Sequence, residues 1–382
     1  MPQLASLKDL QKESKCIMSR RVVQMTSVHT PFDPRIFHKQ CRSLAMAGYD
    51  VTLIAPYSGG NLTSDGIKLR AITPPRERRE RMTKTIAAVY RAAVEEDAEV
   101  YHFHDPELMP IAMMLKLHGK KVIYDVHEDY ASNMRKQWIP PALQGLASLA
   151  VRMSERTMGR ICDRVVAATP KIARNFHPQT TSVVQNFPWT NEFKIVQGAP
   201  YREREQIVAY IGFLADVRGL REMAEAIRIV NIERHAQLVL AGSLVSGAQS
   251  DTIRGSNNVE LLGQLDRSQV VHLLSRVRIG IVVYHPTANY FHGQPTKLLE
   301  YMAAGLPVVA SDFPFYRQII ESSGCGLLVD PLKPAEIAKA ISWLLSNEPR
   351  AEEMGRCGQQ AVLDRYNWEC ESRGLLAMYD AL

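Results

Sequence analysis

"GQPTKLLEYMAAGLPVVASDFP", residues 293–314, reads as a helix, a tight turn and a buried strand in succession. Pro295 suits the start of a helix, because its missing N–H would find no partner there anyway. The helical pattern runs over 296–304 and stops at Gly305-Leu306-Pro307, which cannot continue it. The strand that follows is apolar on both faces, as in a parallel sheet covered by helices. The turn and strand explain themselves. Lys297 and Glu300, placed in the first turn of so plain a helix, do not.

The same helix–strand unit repeats outward in both directions. In the first half, strands are expected at 21–28, 49–57, 67–73, 99–105, 120–128, 164–170 and 181–187. Helix-period stretches lie between them at 35–47, 82–95, 107–118, 142–161 and 170–176. A βαβ alternation of this kind makes a doubly wound α/β domain. Residues 188–206 then break the pattern. They are polar, have no period, and read as a linker. A second alternation follows, with strands at 206–214, 237–244, 258–265, 278–286, 305–312 and 325–331, and two further helical stretches close the chain. The expected architecture is α/β: two Rossmann-like, doubly wound domains with an interdomain cleft. The expected divisions are an extension over 1–19, a first domain over 20–187, the linker over 188–206, a second domain over 207–365 and a final helix over 366–382. Met18 reads as a natural start, because the first strand opens at Arg20.

Composition narrows the class. With 382 residues, 46% hydrophobic and 23% charged, the chain is globular and too long for one core. The net charge of +6 is uneven. Residues 1–190 hold 27 Lys and Arg against 18 Asp and Glu, and the remainder 19 against 22. The basic half favours an anionic surface or a phosphorylated ligand, although a solvated basic face is the commoner use of such charge. The six cysteines are scattered and form no C-x-x-C pair, which argues against zinc and for a reducing, cytoplasmic setting. No apolar run approaches the about 18 residues of a membrane span.

The chemistry gathers where strands end. A helix N-terminus carries unpaired N–H groups and partial positive charge, so it favours phosphate. Gly293, Pro295 and Thr296 sit at such an end, and Lys297 adds a cation. Glu300 shares the helix face with Lys297. A carboxylate there does not suit phosphate, but it suits the paired hydroxyls of a ribose. Together they read as a site for a nucleoside diphosphate. "YIGFLADVRGL" (210–220) supplies Gly212, where backbone could approach a ligand, and Arg218, whose guanidinium can fork onto phosphate oxygens. No G-x-G-x-x-G or G-x-x-x-x-G-K-[ST] occurs, which argues against dinucleotide oxidoreductases and P-loop nucleotidases. In the first half, "SVHTPFDPRIF" places His29, Asp33 and Arg35 after the first strand; "HFHDPE" places His104 and Asp105 after the fourth; and "YDVHEDY" places His127, Glu128 and Asp129 after the fifth. Polar clusters at three carboxyl strand ends of one sheet mark a site. "PPRERRERMTKTIAAVYRAAV" (74–94) adds a basic amphipathic helix that fits an anionic leaflet.

These segments, with "PTKLLEYMAAGLPVVASDFP", together resemble the bacterial glycosyltransferases of family 4, which are retaining enzymes of the GT-B fold. The resemblance runs from about Arg20 to the C-terminus, and its "SVH-x-P-x-D-x-R-I-F" opening is similar to enzymes of capsule, exopolysaccharide and lipopolysaccharide synthesis. It implies a nucleotide-sugar donor, UDP- or GDP-linked, in the second domain, bound through Gly212, Arg218, Gly293, Pro295, Thr296, Lys297 and Glu300. Glu300 falls on the second glutamate of the family's E-x7-E motif, the one that holds the ribose. Arg218 and Lys297 would neutralise the diphosphate, and His127 would face the donor sugar. A saccharide or polyprenyl-diphosphate-linked acceptor would meet His29, Asp33, Arg35, His104, Asp105 and Glu128. The final helix would cross back onto the first domain, with Trp368 as packing. No cofactor, metal or nucleic acid is implied, and the expected place is the cytoplasm, peripheral to the inner face of the membrane. Two positions depart from the pattern: His292 stands at the family's first glutamate, and Phe213 where many relatives carry arginine. A hydrolase or epimerase on the same fold, or a binding protein without catalysis, are the alternatives.

Overall fold

The computed structural model describes residues 20–133, 140–193, 200–245, 258–291, 293–294 and 296–382. They form two compact units. One holds the described residues up to Asn186 together with Glu371–Leu382, and the other is Phe187–Cys370.

The first unit is built on eight strands: β1 (Arg21–Met25), β2 (Asp50–Pro56), β3 (Leu62–Ser64), β4 (Ile67–Ile72), β5 (Val100–Phe103), β6 (Lys121–Val126), β7 (Arg164–Ala167) and β8 (Thr181–Val183). Their order is β3-β4-β2-β1-β5-β6-β7-β8. The chain starts in the middle, winds outward through β2 and β4, and returns to place β5 on the other side of β1. Met25 therefore pairs with Ile54 on one side and Phe103 on the other, both in parallel register. Val22, Val23 and Met25 are buried, as expected of strands covered on both faces. Among the described residues, the one antiparallel pair is β3–β4. It turns through Asp65-Gly66, both at positive φ, as a two-residue hairpin requires. No strand is expected at 62–64 from the sequence pattern, although the Asp-Gly pair marks the turn.

The second unit has six parallel strands: β9 (Ile207–Ile211), β10 (Gln237–Ala241), β11 (Val259–Gly263), β12 (Ile279–Val282), β13 (Val308–Ser311) and β14 (Gly326–Val329). Their order is β11-β10-β9-β12-β13-β14. The winding reverses between β9 and β12. The amphipathic helix Leu220–Val230 covers this sheet with Leu220, Met223, Ala224, Ala226, Ile227 and Val230 buried, the spacing of one helix face.

Parts of the stretch read as a polar linker behave otherwise. Phe193 and Tyr201 are buried in the second core, as is Phe187 just before that stretch. Trp368, fully buried, lies in the second unit with its ring 6.3 Å from that of Trp189. The helix Trp368–Asp380 that it opens gives its residues from Glu371 onward to the first unit. The basic stretch 74–94 is helical from Arg78 to Glu96, and its Val89, Ala92 and Ala93 face the core. Arg81 Nε lies 3.0 Å from Glu107 Oε1, and Lys84 Nζ lies 3.4 Å from Glu80 Oε1.

Candidate functional site

In an open parallel sheet, the strands on either side of a winding reversal send their following loops in opposite directions, leaving a crevice at their carboxyl ends. Each unit places its chemistry there.

In the first unit, the loops after β1, β5 and β6 converge on a buried polar network around Asp125. The Arg35 guanidinium binds both of its oxygens, Nη2 to Oδ1 at 2.9 Å and Nε to Oδ2 at 3.2 Å. Gln40 Nε2 donates to Oδ2 at 2.6 Å. His127 Nε2 lies 3.2 Å from the same oxygen and 3.1 Å from His104 Nδ1. Burial opposes the charge of Asp125, but Arg35, His127 and these hydrogen bonds outweigh it and hold its carboxyl well below the usual range. The network places one proton on His104. His104 Nε2 lies 2.6 Å from the Gln24 carbonyl oxygen, which can only accept, so His104 carries its proton on Nε2. Burial lowers the His104 pKa and keeps the ring neutral. Its Nδ1 lies 3.3 Å from Asp125 Oδ2 as well as 3.1 Å from His127 Nε2.

The expected acceptor residues divide into two groups. Arg35, His104 and Asp105 are buried, with polar atoms engaged inside the unit, so they support the site and do not line it. Arg35 also donates to the Val184 carbonyl at 2.8 Å. Asp105 Oδ2 accepts from Thr26 Oγ1 and the Ser27 amide, both at 2.7 Å, and so fixes the turn after β1. Asp33 caps the following helical turn through the Arg35 and Ile36 amides, while its other oxygen pairs with His29 Nδ1 at 3.2 Å. Burial disfavours the His29 charge, but the Asp33 hydrogen bond and the charges of Asp105, Asp33 and Asp125 outweigh it and raise its pKa. His29, His127 and the exposed Glu128 remain at the surface of this edge. His102, His104 and Asp125 bring possible ligand atoms within 4.8 Å of one another. Arg35 already occupies both carboxylate oxygens, so the cluster is a hydrogen-bond network and a poor cation site.

In the second unit, Gly212 and Arg218 follow β9. Gly219 has φ +78°, and a Cβ there would lie 2.1 Å from the Val283 carbonyl oxygen. Only glycine lets this turn press against the end of β12. Arg218 is thereby held among aromatics. Its Nε donates to Tyr290 Oη at 3.1 Å, and its guanidinium carbon lies 5.4 to 5.5 Å from the ring centres of Phe213, Tyr284 and Tyr290. The Gly212 amide donates to Ala241 at 2.8 Å and is engaged in the sheet. Gly293 donates its amide to the Tyr290 carbonyl at 3.1 Å, which joins Arg218 to the entry of the helix Thr296–Ala303. On that helix, Lys297 Nζ lies 2.9 Å from Glu300 Oε2. Arg267 Nη1 donates to Glu300 Oε1, also at 2.9 Å. Burial would raise the Glu300 pKa, but Lys297 and Arg267 lower it to about 2. Arg267 is itself fixed by Glu192, whose Oε2 accepts from Nε at 2.8 Å, and by the Phe193 ring at 5.0 Å. Pro295 and His292 lie outside the described residues.

Sequence reading missed Asp125, Gln24, Tyr290 and Arg267. Arg267 carried a signal. It opens a helix after Asp266, which forms a capping box with Gln269.

Two doubly wound units, each with a polar site at its winding reversal, define the class of GT-B glycosyltransferases. The comparisons agree. Residues 20–186 match the family model "Glycosyltransferase Family 4", and residues 192–361 match "Glycosyl transferases group 1". The chain belongs to glycosyltransferase family 4. It is 25% identical over 277 residues to the D-rhamnosyltransferase WbpZ of Pseudomonas aeruginosa, which covers 69% of this chain and 68% of that one. Sucrose-phosphate synthase of Thermosynechococcus elongatus has a similar fold, with a TM-score of 0.72 at 18% identity, over 95% of this chain and 98% of that one. So does HepE of Anabaena, solved in complex with UDP and glucose, with a TM-score of 0.69 at 13% identity over 95% and 100%. The chain spans less than half the length of several curated relatives that it matches, among them 46% of a mannosyltransferase of Mycolicibacterium hassiacum. Among the described residues, no helix is long and apolar enough to cross a membrane.

Proposed function

We propose that the protein is a retaining transferase that moves a sugar from a UDP- or GDP-linked donor to a saccharide acceptor, lipid-linked, in the synthesis of a surface polysaccharide. The observation that carries this reading is Glu300. Two cations hold it ionised and in place, so it is an acceptor with lone pairs left for two neighbouring ribose hydroxyls. HepE, a solved neighbour of the same fold, is seen with UDP. Lys297 gives one N–H to Glu300 and keeps two for phosphate oxygens. Arg218, caged by aromatics, adds a second cation whose position is set before any ligand arrives. Charge builds on the diphosphate as the bond between the anomeric carbon and the phosphate oxygen breaks, and these preplaced cations stabilise it. The departing phosphate oxygen takes the proton of the acceptor hydroxyl, whose oxygen bonds to the anomeric carbon on the same face. No protein nucleophile or metal enters this scheme. The first unit holds the acceptor near His29 and Glu128, and His127 orients a sugar. The work is done in the cytoplasm.

The test is thermal-shift binding of UDP, GDP, ADP and dTDP to the wild type and to Glu300→Ala. One preferred nucleotide, lost in the variant, is the expected result. The matching nucleotide-sugars, with and without saccharide acceptors, then show transfer by mass spectrometry. Absence of any nucleotide shift would overturn the donor site. Release of free sugar at one rate with and without acceptor would mark a hydrolase instead.

A further inference from the structure

We propose that the outward face of the helix Pro141–Ile161 docks the first unit onto an anionic lipid bilayer. This helix is 21 residues long. Leu143, Leu146, Leu149 and Met153 are all exposed, Leu146 by 68%. Their spacing of three, three and four residues puts them on one side of a helix. A helix that faced only water would carry polar residues there. The neighbouring helix Met109–Leu117, which packs against this one, also exposes Met113, Met114 and Leu117.

Charge decides the occupant. Arg152, Arg156 and Arg160 follow at i, i+4 and i+8 and are exposed. The single acidic residue between 141 and 161 is Glu155, which is buried against Tyr124 on the opposite side. The outward face thus bears large apolar groups in its first half, three guanidinium groups in its second, and no carboxylate. Apolar side chains of such a face sink below the headgroups, while arginines bind lipid phosphates. A protein partner would have to offer an acidic, apolar surface of matching length; a bilayer offers both properties everywhere. The basic helix from Arg78 to Glu96 fits less well. It carries Glu80, Glu95 and Glu96 among its cations, and its Val89, Ala92 and Ala93 are turned into the core. Docking stands independently of the transferase reading.

The test is flotation of the full chain with vesicles of phosphatidylglycerol and phosphatidylcholine, against vesicles of phosphatidylcholine alone. The wild type floats with the anionic vesicles only. Arg152→Glu/Arg156→Glu/Arg160→Glu lowers its partition by about tenfold or more, because each basic group near such a surface adds to binding. Leu146→Ser/Met153→Ser, an independent disruption, also lowers it. Arg78→Glu/Arg79→Glu leaves it within about twofold. Melting curves confirm that these surface variants fold. The proposal is overturned if the wild type sediments, if both helix variants float like the wild type, or if Arg78→Glu/Arg79→Glu alone abolishes binding. It is also overturned if gel filtration shows a dimer that Leu146→Ser/Met153→Ser dissolves while the wild type fails to float.

Discussion

Arg267 Nη1 donates to Glu300 Oε1 at 2.9 Å across 33 residues of sequence, joining the first residue of one helix to the first turn of another. Lys297 takes the other oxygen. The carboxylate therefore stays ionised down to a pKa of about 2. A folded-state pKa below the unfolded value contributes stability above about pH 4.5, which is lost only as pH falls through about 2. Glu300 thus gives nucleotide binding no pH dependence in the neutral range. Arg267→Ala removes one restraint and leaves Glu300 with Lys297 alone. We expect nucleotide affinity to fall about tenfold, the worth of one hydrogen bond to a charged group. Glu300→Ala and Glu300→Ala/Arg267→Ala should be equally weak. Calorimetric titration of the preferred nucleotide checks both; additive losses would separate Arg267 from Glu300.

Tyr290 links the two halves of the proposed nucleotide site, bonding Arg218 with its hydroxyl and Gly293 with its carbonyl. Tyr290→Phe removes the hydroxyl and keeps the ring beside the guanidinium. Diphosphate affinity should fall about threefold to tenfold, the cost of one net hydrogen bond. Nucleoside monophosphate affinity should change less. Equal losses for both ligands would place Arg218 away from the second phosphate.

The sheets and most helices were legible because buried parallel strands leave continuous apolar runs and the helices between them keep a 3.6-residue period. β3 escaped because three half-exposed residues, Leu62–Ser64, carry no such run. In the sites, residues on one local motif were legible: Lys297 and Glu300 are a helical i,i+3 pair, and Arg218-Gly219 is one turn. Arg267 and Asp125 were not, because their partners lie 33 and 90 residues away and only the fold brings them together. The same limit explains Arg35, His104 and Asp105. Sequence places them at strand ends, but it does not show whether a polar side chain there faces solvent or its neighbours.

Asp125 Oδ2 lies 3.2 Å from His127 Nε2 and 3.3 Å from His104 Nδ1, so the carboxylate orients both rings. In Asp125→Asn the amide oxygen can still accept from Arg35, but the amide N–H group now points toward the imidazoles. Both rings then lose the carboxylate that orients them. We expect kcat to fall about tenfold to hundredfold with a smaller change in KM. Stability also falls, by about 3 kcal/mol or more, because the buried Arg35 loses its counter-charge. Arg35→Lys gives the comparison, since it weakens the same ion pair but leaves the Asp125 carboxylate beside His127. If both variants lower activity in proportion to their loss of stability, Asp125 only supports the fold.

Glu155 gives a pH-dependent prediction of opposite sign to Glu300. Burial, reinforced by the negative charge of Asp129, raises its pKa to about 7, while the Tyr124 hydrogen bond and Arg152 only partly offset this. The folded state binds its proton more tightly than the unfolded chain does. Stability is therefore lost as pH rises from about 4.5 to about 7, and the loss stays constant above that. With about 1.4 kcal/mol lost for each pH unit between those limits, the total is about 3 kcal/mol. Glu155→Gln keeps the shape and a hydrogen-bonding group for Tyr124 Oη, but it has no charge to bury. Its unfolding midpoint should exceed that of the wild type by several degrees at pH 8, with no advantage at pH 4.5. Melting curves of both proteins from pH 4.5 to pH 8 make the comparison. A constant difference across that range would show that Glu155 does not titrate between the two.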